Sequence, residues 1–88
     1  MADAPTLYAV YLGGDPAPGR LSEDHEVVLV VAADLAGARA AAKAKWAGPS
    51  RPHIDAVQTV EVVDGYAVRL EPTDQPDTSE IDVTFDDG

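Results

Sequence analysis

His53 and Asp55 stand two residues apart in the stretch GPSRPHIDAV, residues 48–57, and the second histidine, His25, is set among acids in EDHEVV, residues 23–28. Imidazole titrates near neutral pH, so two such rings beside carboxylates could move protons. In the neutral form they could also ligate zinc or another divalent ion together with a carboxylate. His25, His53 and Asp55 are the candidates for that chemistry, with Glu26 as a further carboxylate. The spacing matches no established ligand motif such as His-Glu-x-x-His. The plainer reading is favoured: each histidine or acid satisfies groups of its own loop or strand start that a compact turn would otherwise leave unpaired.

Three other features invite chemistry and have simpler explanations. Gly13-Gly14 suggests an anion-cradling loop, but no lysine and no helix follow, and a sharp strand exit accounts for the pair. Trp46 could be a ligand platform, yet a single large aromatic on the apolar side of a helix is ordinarily core. Tyr66, after Asp64-Gly65, reads as a strand residue packing across a hairpin.

The elements that position these residues follow from local pattern. Thr6 to Leu12, rich in aromatic and β-branched residues, predicts a first strand. His25 to Ala33 predicts a second, the stretch from Asp15 to Ser22 with its two prolines forming the loop between them. Asp34 caps a helix from Leu35 to about Ala47, stopped by Gly48-Pro49. Leu35, Ala38, Ala42 and Trp46 recur at spacings of three and four and share its apolar face. Ala56 to Val63 predicts a third strand, with His53 and Asp55 in the loop before it, and Asp64-Gly65 a two-residue hairpin turn into a fourth at Tyr66 to Leu70. The expected fold is α+β and two-layered: β-β-α-β-β, with a mostly antiparallel four-stranded sheet and one helix on one face.

That order gathers the chemistry-bearing residues. The first strand ends and the second begins at one rim, the helix returns there, and the next loop feeds the third strand from the same side. Gly13, Gly14, Glu23, His25, Glu26, Trp46, His53 and Asp55 therefore form a candidate ligand rim, with Asp64-Gly65 at the opposite end.

Several of these segments resemble the bacterial family known as domain of unknown function 1543. The matching elements are YAVYLGG (Tyr8 to Gly14), His25 in EDHEVV, KWAG (Lys45 to Gly48), HID (His53 to Asp55) and VVDGY (Val62 to Tyr66). The resemblance covers most of residues 7 to 70. It implies a small domain present once or twice per chain, and it brings no activity or catalytic role.

Size and charge bound the rest. Eighty-eight residues make one small domain, here residues 1–71, and the absence of cysteine rules out a disulfide framework or thiolate metal site. A reducing cytoplasm is the expected compartment. No apolar run approaches the roughly 20 residues of a membrane span. The formal charge of −10 repels phosphate backbones and anionic lipid surfaces, so neither nucleic acid nor membrane is an expected partner. Six of the sixteen acids follow Pro72, where no base occurs. Residues 72–88 thus read as a flexible acidic tail, with Ile81, Val83 and Phe85 alternating as in an edge strand at 80–85.

One surplus remains. The first two strands are apolar on both faces, whereas a single helix covers one. A homodimer through the open sheet face, or a protein partner seated there, is the expected remedy. The chain accordingly reads as an association or ligand-binding module that needs no cofactor. The alternative is a metal-dependent or acid/base enzyme using His25, His53 and Asp55, and the weakest reading is an acidic inhibitor or nucleic-acid mimic acting through the tail.

Overall fold

The computed structural model describes residues 4–14, 24–46 and 51–79. It is an α+β fold: strands β1 (Thr6–Gly14) and β2 (Asp24–Ala32), helix α1 (Leu35–Lys45), then β3 (His53–Thr59), β4 (Val62–Val63) and β5 (Tyr66–Ala67). The first three strands form an antiparallel sheet in the order β2-β1-β3, with β1 in the centre. β4 and β5 pair only with each other.

This differs from the expected four-stranded sheet, and the end of β1 supplies the reason. Val60 N–H still donates to Leu7 carbonyl at 2.9 Å, one step beyond β3. Past Thr6 the central strand meets Pro5, which has no N–H to offer, so the ladder stops. The chain then turns on itself at Asp64 (φ 54°) and Gly65 (φ 83°). Two successive positive-φ residues match a two-residue mirror-image turn. Among the described residues the resulting hairpin touches no other helix or strand.

The helix begins as expected. Asp34 Oδ1 accepts from Gly37 N–H at 2.7 Å, satisfying one of the free donors of the first turn. Lys43 and Lys45 lie in the last turn, where positive charge suits the helix dipole. The helix stops at Lys45 rather than Ala47, because Trp46 is already extended (φ −61°, ψ 127°) and its N–H closes on Lys43 carbonyl. Gly48 and Pro49 lie outside the described residues.

α1 packs on the sheet face bearing Tyr8, Val10, Leu12 and Val30, and its Ala38 and Ala42 are fully buried against it. Two alanines at the contact let the helix backbone approach closely. Val28, Ala32, Trp46, Ile54 and Val57, all partly buried, pack against the core from its margin. Leu35, expected on the buried face, is 48% exposed. Side chains of a helix lean towards its N-terminus, and in the first turn that carries them beyond the helix end.

From β5 the chain runs to Ser79 beside β2. Lys45 Nζ donates to Leu29 carbonyl at 2.6 Å on the outer edge of β2, and the same ammonium meets Asp77 Oδ2 and Ser79 Oγ, each at 3.3 Å. Asp77 also accepts from Ser79 N–H at 2.7 Å. The hydrogen bonds from Ser79, backbone first and then side chain, with Lys45 after them, lower the Asp77 pKa to about 2. The edge strand expected at 80–85 lies outside the described residues.

Candidate functional site

β3 starts at His53, not at Ala56, so His53 and Asp55 are strand residues and not loop residues. Gly13 of the central strand pairs with His25 on one side and His53 on the other. One cross-strand row thus reads His25, Gly13, His53. A side chain built on the glycine would stand only 2.9 Å from His53 Nε2, 3.1 Å from Asp55 Oδ2 and 3.1 Å from His25 Cδ2. Three polar side chains therefore lean over the space that the missing Cβ leaves.

A β-bulge brings Asp55 there. Tyr11 pairs with Ala56 but Leu12 pairs with Ile54, so Asp55 is the extra residue. Strict alternation from Val57, which packs on the core, would send Asp55 and His53 to the helix side. The bulge reverses the parity. Ile54 packs against the core instead, and His53 and Asp55 emerge on the helix-free face.

His53 Nε2 lies 3.1 Å from Asp55 Oδ1, and His25 Nε2 lies 3.9 Å from Asp55 Oδ2. The carboxylate sits between two imidazoles, one at hydrogen-bonding distance and one just beyond it. All three side chains are a third to a half exposed. The His25 ring stacks on Tyr11, centroids 5.3 Å apart and planes within 4°. Tyr11 is absent from the rim read out of the sequence, although its position two residues before Gly13 puts it on the same strand face and diagonal to His25. Period-two alternation was the signal that identifies it.

The rest of the predicted rim divides between faces. Gly14 pairs with Asp24 at the strand end. Glu26 pairs with Leu12 and so projects from the helix-bearing side, and Trp46 belongs to the core there. Glu23 lies outside the described residues. His25, His53, Asp55 and Gly13 are brought together; Glu26 and Trp46 are on the far side of the sheet. Among the described residues no three His, Asp or Glu side chains stand in an arrangement that could hold a metal ion. What the cluster can do as built is share or pass a proton between a carboxylate and two imidazoles, or offer a polar contact.

The same face continues away from the cluster as an apolar strip. Val27 is 62% exposed, Leu29 40%, Val31 53% and Tyr11 39%, flanked by Leu7 and Ala9 of β1. Gln58, paired with Ala9, begins a polar margin along β3 that leads to Asp55 and His53. At the other end of the molecule, a cleft of about 370 Å³ lies at the root of the β4–β5 hairpin, lined by Pro5, Leu7, Val60, Val68 and Leu70 among others.

No helix among the described residues is long and apolar enough to cross a membrane. No curated protein and no solved structure matches the chain significantly. The model of the family described as Domain of Unknown Function (DUF1543) matches residues 20–70, from just before β2 through β5 and including both histidines and Asp55, but not β1. With more than half of its 88 residues matched in this way, the chain belongs to the DUF1543 family.

Proposed function

We propose that this chain is an association module that pairs with a second copy of itself through the helix-free face of its sheet. The observation that carries the reading is the strip Tyr11, Val27, Leu29 and Val31, four large apolar side chains left substantially exposed side by side. A contiguous apolar patch bordered by polar residues marks an association surface, whereas scattered exposed residues would not. Each chain carries a net charge of −10, so two copies repel except where uncharged surfaces meet. β1 and β2 present such a surface between the helix-free cluster and the far strand end. The absence of cysteine supports a reducing compartment such as the cytoplasm.

Light scattering at micromolar concentration tests this. Twice the 9.2 kDa chain mass is expected. A monomer at that concentration would refute the proposal.

The cluster at the end of the strip favours a second reading, an acid/base site in which Asp55 holds His53 in position and His25 completes the polar wall. The 3.1 Å contact between His53 and Asp55 is what supports it. Its metal-dependent form is tested by zinc titration followed through histidine ring NMR signals. Saturable, coupled shifts of both rings at micromolar zinc would establish a metal site, and independent or unresponsive rings would exclude one.

A further inference from the structure

The β4–β5 hairpin presents further apolar surface, with no other described helix or strand against it. Val63 (47% exposed) and Tyr66 (77%) share one face of it, and Val62 (68%) stands on the other. A lone two-stranded hairpin is at best marginally stable in water, since it has no third strand or helix on which to bury a face. This one is nevertheless fixed in register, Val63 opposite Tyr66 and Val62 opposite Ala67, around the Asp64-Gly65 turn. Its only described ties to the main sheet are at its root, where Val60 donates to Leu7 carbonyl; Val68 N–H closes the hairpin's base on Glu61 carbonyl. The root lies at the beginning of β1, the end opposite Gly13.

We infer that the hairpin is an exchanged arm, which seats Val63 and Tyr66 of one copy on the Val27, Leu29 and Val31 strip of the other. This inference rests on the proposed pairing of open faces and specifies its contacts. Two patches on one chain, the exposed sheet face and the Val63–Tyr66 face of the ribbon, meet twice about a two-fold axis and close the assembly. Area argues the same way. Strands of nine, nine and seven residues spaced about 4.8 Å apart cover roughly 400 Å² in plan, about half of the roughly 800 Å² per partner that a specific dimer buries. A buried tyrosine contributes about 150 Å² or more, so an arm led by Tyr66 supplies much of the remainder. Apart from Asp64 at the tip, the arm bears no charge, as suits contact between two acidic molecules.

The test mixes isotope-labelled with unlabelled full-length chain and records filtered NMR cross-peaks between the two. Cross-peaks from the Tyr66 ring of one copy to the methyls of Val27, Leu29 or Val31 of the other are expected. Tyr66→Ser, at a side chain that its own chain leaves exposed, is expected to weaken dimerisation at least about tenfold, in line with the weight aromatic anchors carry at interfaces. A dimer lacking these cross-peaks and indifferent to Tyr66→Ser would overturn the exchanged arm while leaving sheet-face pairing in place. A monomer would overturn both.

Discussion

Gly13→Ala tests the cluster most directly. The new methyl would stand 2.9 Å from His53 Nε2, closer than a carbon tolerates, and a tight 3.1 Å from Asp55 Oδ2 and His25 Cδ2. All three atoms are at or near the free ends of part-exposed side chains, so the rings and carboxylate can swing aside without moving the backbone. Displacing them gives up the contact of His53 with Asp55, worth no more than about 1 kcal/mol at this exposure. Alanine in place of glycine inside a strand returns about 0.5–1 kcal/mol of backbone entropy. The two terms nearly cancel. Urea unfolding at fixed protein concentration is expected to find stability within about 1 kcal/mol of the parent, while the His25 and His53 ring signals move and the ring-current shift between His25 and Tyr11 changes. A loss above about 2 kcal/mol would mean that backbone, not side-chain ends, occupies the space over Gly13. Unmoved imidazole signals would mean that the rings do not lie there.

Leu12→Ala is expected to cost about 3 kcal/mol, because Leu12 is fully buried in the centre of the sheet and its removal leaves a cavity; urea unfolding at constant concentration measures it. Asp77 is expected to titrate near 2 by carboxyl NMR, below its ordinary 3.8, and Ser79→Ala should raise that midpoint only part of the way because the Ser79 backbone N–H remains. Since the folded value is the depressed one, the stabilisation from this contact is fully present above about pH 4 and is lost as pH falls towards 2.

Legibility from sequence followed how local the cause was. The Asp34 cap, the valine-rich β2 and the Asp64-Gly65 turn are each decided by neighbouring residues, and each stands where the pattern puts it. The common rim of Gly13, His25 and His53 needed only the order of chain reversals and is realised in the pairing of β1 with both neighbours. The face on which His53 and Asp55 emerge depended on the bulge at Asp55, a single extra residue that no turn-forming signal announces. The separation of the hairpin from the sheet depended on Pro5, some 55 residues away in sequence, ending the ladder of β1. Such non-local causes were invisible to a reading that moved along the chain.

The ammonium of Lys45 has a consequence for solubility. Among the described residues β2 lies at one side of the sheet, and an apolar strand with unpaired backbone groups is a template on which further chains can stack into fibrils. Leu29 is near the midpoint of β2, and its outward carbonyl is already taken by Lys45, which interrupts the ladder a stacking chain would need. Asp77 and Ser79 hold that ammonium in place. The segment through Asp77 and Ser79 is thus expected to hinder edge-to-edge stacking through its grip on one lysine, a service that measurements of folding stability alone would not register.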